Sequence, residues 1–190
     1  MTDPRALRID IPDWAAARED DARRYATDED RMRVAIEVAG ANVTHGTGGP
    51  FGAAIFESDS GRLVSIGVNS VVRLNNSALH AEMVAFMRAQ AAVGSYSLAA
   101  PAMPSHTLYS SCDPCAMCLG AALWAGVKRI VCGATRQDAV ALHFDEGPVF
   151  PESYDYLVRR GIKVVHGILR EDARARLEHY RAKGGVIYNA

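Results

Sequence analysis

The sequence predicts a three-layer α/β/α domain around a mixed, five-stranded central sheet. Three observations predict it. From residue 28 onward short apolar runs alternate with stretches of helical period, the runs are short enough to be covered on both faces, and the first two form a hairpin, which makes the sheet mixed. A chain of 190 residues with 49% hydrophobic content can bury such a core without staples.

Residues 1–27 are polar and charged, with Arg23-Arg24 set against Glu19, Asp20 and Asp21, and read as an N-terminal arm, either loose or partly helical. From Asp28, the positions Met32, Ala35, Ile36, Ala39 and Val43 keep a helical period until the breakers of His45-Gly46-Thr47-Gly48-Gly49-Pro50 end it. The apolar runs Gly52–Glu57 and Leu63–Val68 flank Ser58-Asp59-Ser60-Gly61-Arg62 and predict a β-hairpin with a loop longer than the tightest turns. A polar loop over 69–77 then leads into Leu79, Met83, Phe86 and Met87 at helical spacing, so His80-Ala81-Glu82 opens a helix.

Residues 107–110 predict a short strand. Asp113 can then cap, and Pro114 can occupy the first turn of, a helix running towards Trp124. A strand is expected at 130–132, a helix over 154–160 and a strand over 162–165, while Leu169, Ala173, Leu177 and Tyr180 mark a last amphipathic helix. No repeat, low-complexity tract or linker divides the chain, so 28–183 read as one domain and 184–190 as a C-terminal tail.

Lys and Arg number 21 against 22 Asp and Glu, a formal charge of -1. No excess positive field is available to hold a phosphate backbone, and nucleic acid is not an expected partner. The N-terminus lacks the apolar core of a signal peptide and no run approaches the length of a membrane span, so a cytoplasmic address is expected. Cys112, Cys115, Cys118 and Cys132 crowd together, which suits a metal or thiol site better than disulfides closing distant loops.

Zinc prefers nitrogen and thiolate ligands, and its catalytic sites use three protein ligands and leave a fourth position for water. His80, Cys115 and Cys118 supply such a set, one zinc per chain, with the two cysteines three residues apart on one helix face and near a helix N-terminus that favours thiolates. Alone, His-x-Glu is a common surface pair and Cys-x-x-Cys serves equally as a redox pair or structural half-site. A closed structural site would draw on Cys112 as a fourth ligand, whereas Cys132 reads as a buried small hydrophobe. Together, His-x-Glu and Pro-Cys-x-x-Cys form the signature of zinc nucleobase deaminases, in which the non-ligand carboxylate, here Glu82, moves a proton from water to a ring nitrogen and then to departing ammonia.

Pro50-Phe51-Gly52-Ala53-Ala54, Gly67-Val68-Asn69, His80-Ala81-Glu82, Ser111-Cys112-Asp113-Pro114-Cys115-Ala116-Met117-Cys118 and Phe144-Asp145-Glu146 resemble the cytidine deaminase-like superfamily, and within it the bacterial guanine deaminase branch, from about Gly49 to the C-terminus. The resemblance implies the cytidine deaminase-like fold, hydrolysis of a free purine base, most specifically guanine to xanthine and ammonia, and a homodimer. Other aminated heterocycles such as ammeline or cytosine, nucleosides such as cytidine or guanosine, and the adenosine of a transfer RNA are the competing substrates.

It further implies a substrate contact for Asn69, which otherwise fits a loop cap, and a second catalytic acid at Glu146, with Asp145 beside it as the alternative. Phe51 and Trp124 match positions that shape the base pocket, although packing roles fit them as well. The tail carrying Tyr188 resembles a segment that closes the active site, either of its own chain or of a partner. Two departures stand out: Asp113 replaces the usual Glu before Pro-Cys, and the N-terminal arm has no counterpart in the branch.

Overall fold

The computed structural model describes residues 8–19 and 22–188; residues 1–7, 20–21 and the last two of the tail lie outside the described residues. In chain order the elements are α1 (Asp13–Glu19), α2 (Asp28–Thr44), β1 (Gly52–Glu57), β2 (Leu63–Val68), α3 (Val71–Leu74), α4 (Ala81–Val93), β3 (His106–Cys112), α5 (Ala116–Ala125), β4 (Arg129–Ala134), α6 (Arg136–Val140), α7 (Pro151–Arg159), β5 (Lys163–Val165) and α8 (Arg170–Ala182). The strands form one sheet in the order β2-β1-β3-β4-β5. β1 runs antiparallel to β2 and β3, whereas β3, β4 and β5 are parallel, so the sheet is mixed because of its opening hairpin.

Helices cover both faces, the three-layer α/β/α arrangement of the cytidine deaminase-like fold. On one face α2 and α8 bury Met32, Ile36 and Leu177 against Tyr109 and Val131; on the other α4, α5 and α7 bury Phe86, Leu119 and Leu157 against Leu108 and Ile130. α2 starts where Thr27 and Asp30 form a reciprocal capping box and its acidic first turn meets the positive end of the helix dipole. Asp28 also pairs with Arg129 and accepts from Tyr109, and these contacts, led by the Arg129 hydrogen bond, hold its carboxyl down at about 2.

Residues 13–19 form α1, and this part of the N-terminal arm is docked. The Glu19 carboxylate accepts from the Ile66 amide at 2.8 Å and pairs with Arg88 of α4, while Ala15 is fully buried. The short α3 and α6 lie in segments where too few residues exist for a helical period to register. Elsewhere the differences are at element ends: β3 extends through Cys112, and Cys115 caps α5 rather than lying within it.

What the topology does for function is collect chain ends along one edge of the sheet. The start of β1, the ends of β2 and β3, and the first turns of α4 and α5 all meet there. Gly67 permits this approach, since a Cβ at that position would stand 1.9 Å from the Ala81 carbonyl oxygen in the first turn of α4.

Candidate active site

His80 and Cys115 are the N-caps of α4 and α5, and neither spends its side chain on a capping bond. Both have extended backbone, which turns their side chains away from the helix bodies and towards each other. His80 Nδ1 lies 3.5 Å from Cys115 Sγ and 3.8 Å from Cys118 Sγ, and the three donor atoms all lie within 4.8 Å of one another. Zinc–nitrogen and zinc–sulfur bonds of about 2.1 and 2.3 Å in a tetrahedron put such atoms about 3.6 Å apart, so the donor set fits zinc in both chemistry and spacing. Cys112 turns the other way, towards the Thr135 carbonyl oxygen at 3.5 Å, and does not join the group. Three protein ligands therefore remain, the open arrangement of a catalytic centre.

Of the three donors, only Cys115 is biased towards the deprotonated form that a metal takes. A hydrogen bond from Cys118, aided by His80, holds the Cys115 thiol down at about 4 against the effect of burial. The same pairing, with burial, pushes Cys118 up. Burial would lower His80, but the Cys115 contact and the charges of Glu82 and Glu146 leave it raised.

Glu82, in the first turn of α4, is buried and accepts from Ser110 Oγ at 3.1 Å. Burial, followed by the charge of Cys115, raises its pKa, so this carboxylate holds a proton more readily than a solvated one. A proton carrier with that bias suits a step in which the group first accepts and then donates.

A narrow cleft opens over these groups and is lined by Phe51, Asn69, His80, Glu82, Asp113, Cys115, Glu146 and Tyr188. The two neighbouring acids left open by the sequence are separated here. Glu146 is buried and faces the cleft, while Asp145 is exposed and its Oδ1 accepts from the Gly147 amide at 2.8 Å, closing the turn that aims Glu146 inward. Burial first, then the charges of Cys115 and Glu82, push Glu146 up to about 8. Its loop is tied down by the bond from the Ala116 amide to the Glu146 carbonyl, and by Arg136, whose guanidinium donates to the carbonyls of Gly147 and Val149.

Tyr188 reaches the cleft because the tail folds back at Gly184 and Gly185. The Tyr180 hydroxyl donates to the Val186 carbonyl at 2.7 Å, and the Tyr188 ring packs at 5.3 Å from Phe144 and 6.4 Å from His80. The Asn69 Nδ2 and the Tyr188 hydroxyl are buried with no hydrogen-bond partner among the described residues. Two polar atoms so placed are ready contacts for a ligand.

Trp124 does not join the cleft. It is 81% exposed and sits nine residues beyond Cys115, about 13 Å along α5. Sharing a helix with zinc ligands does not bring a side chain to the metal, and this exposure also removes the alternative of a core role within one chain.

Ser110, Arg136 and His166, which the sequence does not single out, complete the surroundings together with Asp113. Ser110 positions Glu82, and Asp113 clamps the zinc loop by accepting from the Arg136 amide at 3.1 Å and pairing with His166 at 2.7 Å. Asp113, Cys132 and His166 also group within 4.8 Å, but the carboxylate oxygens are already engaged by these two donors. Ser110, Arg136 and His166 come from different elements, and no local spacing announces their meeting.

Comparison with known proteins adds a family and relatives. Residues 25–134 match the model of the cytidine and deoxycytidylate deaminase zinc-binding region. The chain is 36% identical to guanine deaminase of Bacillus subtilis over 121 residues, 64% of this chain and 73% of that protein. A structure of guanine deaminase from Nitrosomonas europaea superposes with a TM-score of 0.90 at 41% identity, covering 93% of this chain and 97% of that one. The protein NE0047 in complex with 2,6-diaminopurine is 43% identical, with a TM-score of 0.92 and 97% of each chain covered.

Proposed function

Because the chain belongs to the cytidine and deoxycytidylate deaminase zinc-binding family, in its guanine deaminase branch, we propose that it hydrolyses guanine to xanthine and ammonia. One observation carries the reading: a single cleft joins His80 and Cys115 of the zinc-binding trio and Glu82 to Asn69, Glu146 and Tyr188, polar groups arranged for the edge of a flat base. It is a zinc-dependent hydrolase of C–N bonds in cyclic amidines, with a small nucleobase as substrate.

His80, Cys115 and Cys118 hold the zinc, which when bound lowers the pKa of water to about 7 and so makes a nucleophile available at neutral pH. Glu82 accepts the proton that water loses and delivers it to the ring nitrogen next to the carbon bearing the amino group. A new C–O bond forms at that carbon; Glu82 then takes the remaining proton from the added hydroxyl and passes it to the amino nitrogen, so that the carbonyl forms as the C–N bond breaks and ammonia leaves. Asn69 offers its free Nδ2 donor to an acceptor on the base edge. Glu146, protonated more readily than an ordinary carboxyl, is placed to donate to or accept from the amino and ring N–H groups. Phe51 and Tyr188 give the base two aromatic walls.

Residues 28–183 make up the deaminase domain in this reading and 184–190 its lid. Removing everything after Lys183 is expected to lower kcat/KM for guanine by about 100-fold, the effect of losing a wall that fixes the base, while zinc content stays at one per chain. Unchanged kinetics in the truncated enzyme would remove the lid from the account. A homodimer is supported by exposed apolar side chains on α5 and α7, namely Met117, Trp124, Tyr156 and Val158, so Trp124 belongs with a partner's surface rather than with its own cleft. Among the described residues no helix is long and apolar enough to cross a membrane. Four free cysteines, two of them serving the metal, fit a reducing compartment such as the cytoplasm.

The direct test is ammonia release by zinc-loaded enzyme from guanine, guanosine, cytidine, cytosine, adenine and ammeline. Guanine is expected to give the highest kcat/KM. Turnover confined to a nucleoside would refute the free-base reading, and turnover highest on ammeline or cytosine would move the substrate while leaving the chemistry in place.

A further inference from the structure

Asn42 lies near the end of α2, fully buried, and does not line the cleft. Its Nδ2 donates to two backbone carbonyls, those of Gly49 and Asn69, both at 2.9 Å, and its Oδ1 accepts from Thr47 Oγ1 at 2.7 Å. A primary amide has two donor hydrogens and one acceptor oxygen, so both hydrogens are committed to holding two segments together. Those segments are the flanks of the cleft. Gly49 precedes Phe51 in the loop entering β1, and the Asn69 amide donates in turn to the Phe51 carbonyl at 3.1 Å.

The Asn69 side chain is itself held in one sense. Its Oδ1 accepts from the Val71 amide at 3.4 Å, which leaves Nδ2 as the group facing the cleft. The loop that Asn42 gathers presses on both recognition groups. A Cβ on Gly48 would stand 2.0 Å from the Asn69 carbonyl oxygen and 2.7 Å from Asn42 Nδ2; one on Gly49 would stand 2.9 Å from the Tyr188 ring and hydroxyl and 3.2 Å from Asn69 Oδ1. Only glycine fits this passage, and its backbone is what Asn69 and Tyr188 rest on.

We propose that Asn42 is a positioning residue for base recognition: through the Gly49 and Asn69 carbonyls it sets the orientation of the Asn69 amide and the seat of Tyr188. The inference rests on the reading of Asn69 as a substrate contact. Asn42→Ala strips the donor from two buried carbonyls at once, and the peptide at Asn69 then turns to find another partner. Because the chemistry at zinc and Glu82 is untouched, the loss falls on substrate binding.

The test is a double-mutant cycle on zinc-loaded enzyme with guanine, using Asn42→Ala, Asn69→Ala and the pair, with zinc content measured throughout. Asn42→Ala is expected to lower kcat/KM roughly 10- to 100-fold, mostly through KM, with zinc unchanged. In the Asn69→Ala background the same change should cost less than about 2-fold, since neighbours acting as one unit are not additive. Thr47→Val, which removes the hydroxyl that donates to Asn42 Oδ1 at 2.7 Å and lies 3.4 Å from the Asn42 carbonyl, is a milder variant expected to shift KM in the same direction. It decides the matter by the same cycle if Asn42→Ala fails to fold. An equal loss in both backgrounds would overturn the proposal by making Asn42 general support, as would a normal KM in Asn42→Ala or Thr47→Val. Normal kinetics in Asn69→Ala alone would instead remove Asn69 as a substrate contact, and this inference with it.

Discussion

Glu82→Gln is expected to leave one zinc bound per chain and to lower kcat for guanine by roughly 1,000- to 10,000-fold, the upper part of the range for a positioned acid–base group. The loss corresponds to about 4 to 5.5 kcal/mol of barrier. The amide fills the same space and can still meet Ser110, but it cannot accept a proton from water and release it to the base. Because Glu82 is buried and raised by that burial, no neighbouring solvent takes over the transfer. Stopped or steady-state ammonia assays with metal analysis on the same sample check both halves. A Glu82→Gln enzyme with normal turnover would sink the deaminase mechanism, whereas one that loses zinc would show that Glu82 holds the metal rather than the proton.

Cys115→Ala should remove most of the zinc. Changes to groups that merely support a metal ligand cost 10- to 100-fold in affinity, and deletion of a thiolate ligand should exceed about 100-fold, leaving a protein without measurable turnover. The informative control is Cys112→Ala. Its sulfur faces the Thr135 carbonyl, not the trio, so that variant should purify with a full zinc complement. Metal analysis after dialysis distinguishes the two. Stoichiometric zinc in Cys115→Ala, or its loss in Cys112→Ala, would mean that the ligand set has been misassigned.

How far the sequence reaches is set by what is local. His80-Ala81-Glu82 and Pro114-Cys115-Ala116-Met117-Cys118 are legible because each places its groups at the mouth of one helix, where a few residues of spacing fix the geometry. The hairpin and the alternation of strands and helices are legible for the same reason, since period and turn residues are short-range signals. Ser110 is not, because it reaches Glu82 through the register of β3 within the sheet rather than through any neighbour in sequence. The choice between Asp145 and Glu146 is likewise made by a turn that adjacent acids do not reveal. Trp124, expected from its match to an aromatic position of the branch, lies exposed outside the cleft of its own chain, and local spacing carries no sign of that. Asn42, near the end of an apolar helical pattern, carries no mark of the two carbonyls it will meet.

The tail has a kinetic meaning as well as a structural one. With Gly185 turned under Tyr180 and Tyr188 lodged between Gly49, Phe144 and His80, the folded tail forms one wall of the narrow cleft. A rigid purine cannot pass that ring by small adjustments of its own. As the proposed lid, the tail would couple entry and departure to release of a few C-terminal residues, which ring packing and the bond between the Tyr180 hydroxyl and Val186 hold in place. On that proposal, the rate at which product is exchanged for fresh substrate would be a property of those contacts, open to adjustment there without altering a single group that touches the metal.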